Sequence, residues 1–192
     1  MLSKSMRLGD TVATIEVQNI VASGRIADSL DLQALSLSMA DEHVTYRPEQ
    51  FPGLVYRMKK PKVAILLFST GKVVCTGGKS VEQVREAVKS VAKTAAAAKV
   101  KVRANLDIEI QNIVATADLK RDFDLSMIAT ALLSEGVEYE PEQFPGLVYR
   151  LKEPKAVILV FQSGKVVCTG TRTLEDAALA VDKLLDTIKG LY

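Results

Sequence analysis

The sequence predicts an α+β protein with internal pseudo-twofold symmetry, in which helices cover one face of a mainly antiparallel sheet. Two observations carry this prediction. The second half of the chain repeats the first half at a constant spacing, and each copy reads as a strand, a helix, several short strands and a second helix. Strands that follow one another through short loops pair antiparallel, because parallel pairing needs a long crossover connection.

The repeat aligns Ile15–Val91 with Ile108–Leu184 at a shift of 93 residues, without insertion or deletion, and 38 of the 77 aligned positions are identical. The blocks PEQFPGLVYR, GKVVCTG and QNIVA each occur twice. A unit of this length is too long for a solenoid repeat, so two copies resemble a symmetric dimer whose subunits have been joined. We therefore expect two repeats, residues 1–99 and 100–192, in one intertwined structural unit.

Each copy contains recognisable strand and helix patterns. Ile15–Ala22 is rich in β-branched residues and predicts a strand. Asp28–Ala40 and Asp122–Leu133 carry Leu, Met and Ala at helical spacing. Ser80 has the capping-box spacing to a glutamine and begins the second helix of its copy, as Thr173 does in the other. Turn signals separate four further predicted strands, Val44–Tyr46, Leu54–Met58, Val63–Phe68 and Val73–Thr76.

Composition argues against several classes of protein. No apolar run approaches the ~20 residues of a membrane span, and the first ten residues lack a signal-peptide hydrophobic segment. Two cysteines without CxxC spacing argue against a zinc site or a disulfide framework and indicate a reducing, cytoplasmic location. The formal net charge is only +2, yet residues 1–99 carry +5 and residues 100–192 carry −3.

One face of the predicted sheet is apolar and has no helix to cover it. Val63–Phe68 and Ala156–Phe161 are apolar throughout, whereas a sheet with one solvated face alternates apolar and polar residues. Each copy supplies five strands but only two helices, which can cover one face. Burial of the second face in a sandwich or oligomer and its use as an exposed binding surface are, at this point, about equally supported.

Residue parity predicts the composition of the open face. Val73 and Cys75 are taken to face the helices, which leaves their neighbours on the other side. The open-face residues are then Asn19, Val21, Ala64, Leu66, Phe68, Val74 and Thr76 in the first copy, and Asn112, Val114, Leu159, Phe161, Val167 and Thr169 in the second. An apolar floor with one Asn and one Thr per copy suits a nearly dry groove that offers only hydrogen-bond acceptors.

The repeated motifs QNIVA, EQFPGLVYR and FxxGKVVCTG resemble those of the TATA-box-binding protein family, over essentially the whole chain after the first ten residues. Both copies read FPGLVYR, which is more similar to the archaeal branch than to the eukaryotic one. The resemblance implies a pseudo-twofold saddle with a single curved ten-stranded antiparallel sheet. Its concave face would bind DNA, and four helices would lie on the convex face.

The resemblance also implies that two pairs of phenylalanines act as wedges between base steps. The matching residues are Phe51 and Phe68 in the first copy, and Phe144 and Phe161 in the second. An isolated Phe is more often a core residue. Here, however, four of the five phenylalanines form two pairs 17 residues apart, and one of each pair lies between PEQ and Pro-Gly, in a turn. This context favours the wedge interpretation.

The polar open-face residues are expected to hydrogen-bond to base edges, and the apolar ones to exclude G·C pairs. Adenine N3 and thymine O2 are the only acceptors that A·T pairs present in the minor groove, whereas guanine adds an amino group. The predicted donors are Asn19, Asn112, Thr76 and Thr169. The predicted apolar floor is Val21, Leu66, Val74, Val114, Leu159 and Val167. A turn or edge position would be the ordinary place for Asn, but here it falls mid-strand in both copies.

A set of basic and hydroxyl residues matches phosphate contacts of the family. Exposed basic residues are often merely solvated, but together they would position DNA without reading its sequence. The matching residues are Arg57, Thr70, Lys72, Lys79, Arg150, Ser163, Lys165 and Arg172.

The two copies diverge mainly in charge, and the loop before the second FPG motif is acidic. Glutamates replace Thr45 and Arg47 of the first copy in this region. In the family the matching loop, here Glu140, Glu142 and Gln143, binds transcription factor B. The partners expected are therefore double-stranded A/T-rich promoter DNA, transcription factor B and, indirectly, RNA polymerase, with no membrane partner.

No repeated acid–base, nucleophile or metal-ligand constellation is visible, so we expect no catalysis, no cofactor and no metal. Cys75 and Cys168 face the helices by parity and read as small core residues. His43 has no counterpart, because Gly136 occupies the equivalent position, and it is expected in a surface loop. The leading hypothesis is a general transcription initiation factor that bends promoter DNA. A related saddle module with another nucleic acid or protein partner is the alternative, and an enzyme ranks third.

Overall fold

A computed structural model describes residues 2–8, 11–39, 43–133 and 135–191, which form four α-helices and eleven strands. The helices are α1 (Leu32–Met39), α2 (Val81–Ala97), α3 (Leu125–Ala131) and α4 (Leu174–Ile188). The strands are β1 (Ser3–Leu8), β2 (Thr11–Arg25), β3 (Val44–Thr45), β4 (Leu54–Met58), β5 (Val63–Leu67), β6 (Lys72–Gly78), β7 (Glu109–Asp118), β8 (Val137–Glu138), β9 (Leu147–Leu151), β10 (Ala156–Val160) and β11 (Lys165–Thr171).

The strands form a single open sheet with the hydrogen-bonded order β3-β4-β5-β6-β2-β7-β11-β10-β9-β8, and β1 pairs with β2 off this path. Every strand pair whose register is resolved is antiparallel. The predicted antiparallel α+β fold with four helices is confirmed. The sheet has eleven strands rather than ten, because β1 lies within the first ten residues, where no strand is predicted.

The first helix of each copy begins later than predicted. Asp31 and Asp124 cap α1 and α3, since their carboxylates accept from Ala34 N and Met127 N, both at 3.0 Å. The residue before each cap is held elsewhere: Leu30 N donates to Ser69 O, and the equivalent residue of the second copy donates to Gln162 O. These bonds tie the residue before each cap to the turn that follows β5 or β10, and the helices begin after the later aspartates. The predicted end of the first helix, at residue 40, lies outside the described residues.

The second helix of each copy begins where the sequence predicts. Ser80 Oγ accepts from Gln83 N at 3.2 Å, and Thr173 Oγ1 accepts from Asp176 N at 3.0 Å. Gln83 Oε1 in turn accepts from Lys79 N at 3.0 Å, so two amide groups at the start of α2 are satisfied. These caps fix the helical phase that buries one face of each helix.

Contacts within the chain divide it into two compact units, which we call the central unit (Asn19–Gln111) and the terminal unit (Met1–Gln18 with Asn112–Tyr192). The expected repeats, residues 1–99 and 100–192, divide the sequence at a different point. Residues before 19 contact the terminal unit because β1 packs against α4 and because Gln18 Nε2 donates to Thr116 Oγ1 at 2.9 Å.

Each unit has its own apolar core between one long helix and one sheet face. In the central unit α2 packs against β5 and β6, and in the terminal unit α4 packs against β10 and β11. Helical spacing predicts an apolar stripe of Val81, Val84, Val88 and Val91 in α2 and of Leu174, Ala177, Val181 and Leu184 in α4. All of these residues are buried except Val81, which begins α2 and is partly exposed. The opposite face of the strands is left without a helix of its own unit.

Candidate nucleic-acid interface

In the central unit the strands β2, β5 and β6 place alternate side chains on opposite faces. Val73 and Cys75 of β6 are fully buried on the α2 side, whereas Val74 and Thr76 are partly exposed. β5 alternates in step, because Leu66 pairs with Val74. The partly exposed residues of this face are Asn19, Val21, Ala64, Leu66, Phe68, Val74 and Thr76, as the parity argument predicts.

The terminal unit repeats this alternation in β7, β10 and β11. Ile158 and Cys168 are fully buried and are partners across β10 and β11, whereas Leu159 and Val167, also partners, are partly exposed. The predicted residues Asn112, Val114, Leu159, Phe161, Val167 and Thr169 are all partly exposed on this face, and Val157 and Thr116, which were not predicted, lie there as well. Each unit therefore presents an apolar strip that carries one Asn–Thr pair, with Ser23 opposite Val74 in the central unit and Thr116 opposite Val167 in the terminal unit.

The Asn and Thr side chains of each face are hydrogen-bonded to each other. Asn19 Nδ2 donates to Thr76 Oγ1 at 3.3 Å in the central unit, and Asn112 Nδ2 donates to Thr169 Oγ1 at 3.0 Å in the terminal unit. Each Thr hydroxyl in turn donates to the Asn Oδ1 of its pair, at 3.3 Å in the central unit and 3.4 Å in the terminal unit. The second Nδ2 hydrogen can be donated to a ligand, and the Thr hydroxyl can be donated if it rotates away from Oδ1. The pair is thus a compact donor group on an otherwise apolar surface.

A glycine bulge fixes the orientation of each Asn. Gly77 N donates to Asn19 Oδ1 at 2.7 Å, and Gly170 N donates to Asn112 Oδ1 at 2.8 Å. These bonds assign the carbonyl oxygen to the atom that faces the glycine amide, so the other terminal atom of each Asn is the amide nitrogen. Gly77 has φ +98° and Gly170 has φ +92°, which is left-handed backbone that favours glycine. The strand register shifts next to each bulge.

The four predicted wedge residues form two edge-to-face pairs. The ring centroids of Phe51 and Phe68 are 5.9 Å apart at 65°, and those of Phe144 and Phe161 are 5.9 Å apart at 66°. Phe51 is 37% exposed and Phe144 is 38% exposed, which is unusual for large apolar side chains. The fifth phenylalanine, Phe123, is buried in the core.

Sequence reasoning missed the glycine beneath each pair. A Cβ on Gly53 would lie 2.7 Å from Phe51 Cε1 and 3.2 Å from Phe68 Cε1, and a Cβ on Gly146 would meet the second pair at 2.7 and 3.1 Å. Only a residue without a side chain lets the rings adopt this position. The repeated FPG motif draws attention to this glycine, but a Pro-Gly turn explains the motif equally well, so the sequence does not reveal the contact with the rings.

The predicted phosphate-contacting residues are all exposed, and two of them lie beside the wedges. Phe68 N donates to Lys72 O at 3.0 Å, and Phe161 N donates to Lys165 O at 2.9 Å, so each turn joins one ring to one lysine. Arg150 differs from its counterpart Arg57, because Arg150 forms an ion pair with Glu138 at 3.3 Å. The exposed set is Arg57, Thr70, Lys72, Lys79, Arg150, Ser163, Lys165 and Arg172.

Two further charged residues, whose positions along their strands put them on the open face, were not predicted. Arg25 ends β2 opposite Lys72, and Asp118 ends β7 opposite Lys165. Lys120 Nζ lies 2.8 Å from Asp118 Oδ2, and hydrogen bonds from Lys120, with a smaller effect of the Lys165 charge, lower the pKa of the Asp118 carboxyl. Arg25 and Asp118 lie outside the motifs that are identical in the two copies, so those motifs do not point to them.

The acidic loop has the same backbone as its counterpart in the central unit. Gln143 N and Phe144 N both donate to Glu140 O at 2.9 Å, and the amides of residues 50 and 51 donate to Arg47 O at the same distance. Glu140, Glu142 and Gln143 are exposed. The two loops therefore differ in charge and not in backbone hydrogen bonding.

The remaining reactive side chains do not form a site in the described part of the chain. Burial raises the pKa of Cys75 to about 11 and that of Cys168 to about 12, so both thiols are neutral near pH 7. His43 lies in a turn and is partly exposed. Within residues 2–8, 11–39, 43–133 and 135–191, no group of three or more His, Cys, Asp or Glu side chains could hold a metal, and no helix is long and apolar enough to cross a membrane.

Comparison with known proteins places these features in one family. The family model described as transcription factor TFIID (or TATA-binding protein, TBP) matches residues 14–96 and again residues 107–191. The TATA-box-binding protein of Methanocaldococcus jannaschii is 53% identical over 91% of this chain and 93% of its own. That of Archaeoglobus fulgidus is 49% identical over 92% of this chain and 96% of its own.

A solved structure supports the same conclusion. The structure of Methanococcus jannaschii TBP superposes with a TM-score of 0.83 at 53% identity, and the alignment covers 92% of this chain and 98% of that one. The alternative of a related module with another partner is not favoured by these relatives. The family model matches both repeats, and the chain belongs to the TATA-binding protein family.

Proposed function

We propose that this chain is a general transcription factor that binds the minor groove of an A/T-rich promoter element, kinks the DNA and nucleates assembly of the preinitiation complex. The observation that carries the proposal is the matched pair of half-sites. Each unit presents two paired phenylalanines and one Asn–Thr donor pair on an apolar sheet face. The similar archaeal TATA-box-binding proteins support the same function, which would be exercised at the nucleoid.

Base recognition follows from the chemistry of the donor pairs and the floor around them. Minor-groove edges of A·T and T·A pairs offer only acceptors, which suit the Asn amide and the Thr hydroxyl. Valines on either side of each pair leave no partner for the guanine amino group. A buried amino group without a hydrogen bond costs about 1–3 kcal/mol, so the floor discriminates against G·C as well as accepting A·T.

The phenylalanine pairs supply the kink. Proteins of this family are themselves the standard example of apolar wedges that unstack a base step and bend DNA toward the major groove. Phe51 and Phe144 are already partly exposed, so insertion needs no unfolding of the core. Lys72 and Lys165 end the turns that follow Phe68 and Phe161, and their exposed side chains would hold the phosphates beside the opened step.

Groove choice can be tested by replacing A·T pairs of the element with inosine·C pairs. Inosine lacks the guanine amino group, so it keeps the minor-groove acceptors while changing the major groove. We expect affinity to change little on this exchange, whereas G·C replacement should cost about 1–3 kcal/mol per pair. Gel-shift titration at one fixed salt concentration measures both. If inosine·C pairs weaken binding as much as G·C pairs do, the major groove is being read and the proposal is wrong.

The acidic loop is proposed to bind transcription factor B, through which RNA polymerase is recruited. Glu140 and Glu142 are exposed, whereas the matching loop carries Arg47. Glu140→Arg with Glu142→Arg should abolish the ternary complex with factor B, because removal of an interfacial charge partner typically costs about 2–5 kcal/mol. DNA binding alone should be unchanged or slightly stronger, since two negative charges near phosphate are replaced.

The matched control is Arg47→Glu with Glu49→Arg in the corresponding loop of the central unit. This variant should retain factor B binding, because the two loops share their backbone hydrogen bonds and the altered charges lie outside the proposed contact. Titration of factor B onto preformed DNA complexes compares the two variants. A wild-type ternary affinity for the double Arg variant would contradict the partner assignment while leaving DNA binding untouched.

A further inference from the structure

We propose that this chain associates with a second copy of itself, by placing the exposed face of α4 of one copy in a groove beside α2 of the other. The groove lies in the central unit, and the helix face that would fill it lies in the terminal unit. Each helix packs on the sheet face opposite the open face of its own unit. The contact would therefore not use the open faces, and it is separate from the proposed binding of DNA.

The groove runs between α2 and the segment that joins α2 to β7, and it has a volume of about 720 Å³. Its apolar lining consists of Ala92, Ala96, Val102, Ala104, Leu106 and Ile108. The three branched side chains of this set, Val102, Leu106 and Ile108, are only partly buried. All of the lining residues belong to the central unit. An apolar strip of this kind is a surface that a partner can cover.

The α2 wall of the groove is basic. Arg85, Lys89 and Lys93 follow one another at intervals of four residues, which places them along one side of the helix. All three side chains are exposed. Neither lysine forms an ion pair within the part of the chain that the structure describes. These lysines are therefore available to carboxylates of a partner.

The opposite wall of the groove does not attract carboxylates. It carries Asp107 and Glu109, and its one cation, Arg103, forms an ion pair with Asp28 at 2.7 Å. The cations available to a partner are thus concentrated on the α2 side. A partner that fits must have an apolar side chain for the floor and carboxylates directed toward α2.

The exposed face of α4 has these properties. Glu175, Leu179, Asp182 and Asp186 lie at intervals of four, three and four residues, so they share one face of the helix. Leu179 is 47% exposed, which is unusual for a large apolar side chain. The chain therefore carries an acidic helix face with one leucine among its carboxylates.

Repulsion between the carboxylates of α4 is not fully balanced within the terminal unit. Burial, and then the charge of Asp186, raise the pKa of Asp182, although Lys4 offsets part of this effect. Lys183 is the only basic residue of α4, and its Nζ donates to Glu153 O at 2.6 Å. Cations of a second copy would relieve the repulsion.

The two surfaces correspond in spacing as well as in charge. Lys89 and Lys93 of α2 occupy the positions equivalent to Asp182 and Asp186 of α4, 93 residues later in the chain. Two cations and two carboxylates therefore have the same four-residue spacing on the two helices. One helix in one groove buries less than the roughly 1,200–2,000 Å² of a stable interface, so the association should be weak and sensitive to salt.

Sedimentation equilibrium without DNA tests the association. The wild type should form dimers or larger species at about 0.1–0.5 mM chain in low salt, since a weak interface has a dissociation constant of this order. Raising the salt from about 0.05 M to about 0.5 M should weaken the association about tenfold, because the charges are exposed.

Two charge-reversal variants locate the contact. The groove variant is Lys89→Asp with Lys93→Asp, and the helix variant is Asp182→Lys with Asp186→Lys. Each alone should associate about tenfold more weakly than the wild type or worse, because two attractive pairs become repulsive. An equimolar mixture should recover the association, since each groove then meets a helix face of opposite charge. Circular dichroism verifies that both variants are folded.

Two matched controls separate this contact from general effects of charge and apolar exposure. Lys152→Asp with Lys155→Asp changes the net charge as the groove variant does, at exposed positions of the terminal unit, and should associate like the wild type. Leu179→Ala should weaken both the wild-type association and the recovered mixture. Leu133→Ala, at a leucine that is 81% exposed, should alter neither.

Three results would each overturn the inference. A wild type that stays monomeric in low salt would leave the groove to a different acidic protein. Groove and helix variants that associate like the wild type would place the contact elsewhere, for example on the open sheet faces. A mixture of folded variants that does not recover the association would show that the two surfaces do not meet.

Discussion

The central and terminal units present nearly the same chemistry on their open faces. Their phenylalanine pairs have equal centroid separations, 5.9 Å, and interplanar angles of 65° and 66°. Their donor pairs differ by only 0.3 Å in the Asn–Thr distance, 3.3 Å against 3.0 Å. A glycine bulge orients the Asn in both. The side chains that would touch bases therefore have the same arrangement in the two copies.

The units differ in what surrounds and supports these faces. One example lies between sheet and helix, where Gly78 and Val84 of the central unit correspond to Thr171 and Ala177 of the terminal unit. A small residue faces a larger one in both cases, but the order is reversed. Compensating changes of this kind let the supporting layer diverge while the open face stays the same.

The similarity of the open faces predicts equal effects of wedge removal in the two units. Phe68→Ala and Phe161→Ala should each leave the fold intact and reduce the DNA bend by a similar amount, on the order of 20° or more. Each removes one ring of an edge-to-face pair whose other ring is partly exposed, so little core packing is lost. Energy transfer between dyes at the two DNA ends measures the bend.

The fifth phenylalanine supplies the control for this experiment. Phe123 is 2% exposed, and Phe123→Leu should lower stability while leaving the bend angle of the folded protein unchanged. An unchanged bend in Phe68→Ala and Phe161→Ala would remove the wedge role. A bend lost in only one of the two would show that the equal ring geometry does not imply equal function.

Much of the open face was predictable because strand parity is a strict rule. Once Val73 and Cys75 were assigned to the helix side, the positions of Val74 and Thr76 followed, and the second copy repeated the pattern. What could not be predicted was the support beneath the face. The Cβ clash at Gly53 depends on the closeness of two side chains that are 17 residues apart in sequence, which no local pattern encodes.

Tertiary contacts decided the features that the sequence left ambiguous. Asp28 and Asp31 are both reasonable N-caps for the first helix. Asp31 caps it, while Asp28 forms an ion pair with Arg103, which is 75 residues away in sequence. Strand β1 was missed because residues 3–8 are mixed in character and have no counterpart in the repeat. Its pairing with β2 and its contact with α4 come from distant parts of the chain.

The reversed packing order predicts a clash when the Thr of the terminal unit is placed in the central unit. A Cβ on Gly78 would lie 2.6 Å from Val84 Cγ2, so Gly78→Thr should destabilise the protein by about 1–3 kcal/mol. Val84→Ala alone should cost about 2 kcal/mol through the cavity it leaves. The double variant recreates the arrangement of Thr171 and Ala177 and should be more stable than the sum of the single effects.

A double-mutant cycle in urea gives the coupling free energy directly. We expect about 1–2 kcal/mol of favourable coupling, because the two residues are in contact. Additive single effects would mean that the helix shifts to accommodate Thr without help from Ala. In that case the two supporting layers would be independent of each other, and the compensation between the units would be coincidental.

The smallest predicted effect concerns Thr171 itself, which is 3% exposed and whose Oγ1 has no hydrogen-bond partner among the described residues. A buried hydroxyl without a partner destabilises the folded state, and Thr171→Val removes it while the branched shape is kept. The variant should therefore be more stable by about 1 kcal/mol, which corresponds to a rise in Tm of about 2–4 °C for a chain of this size.

Thr130→Val is a suitable control, because Thr130 is exposed and its Oγ1 donates to Ser126 O at 2.9 Å. Its Tm should change by less than that of Thr171→Val. If Thr171→Val lowers the Tm, a water molecule or a shifted backbone carbonyl satisfies the hydroxyl in solution. The Thr would then be an active part of the terminal core rather than a tolerated substitute for Gly78.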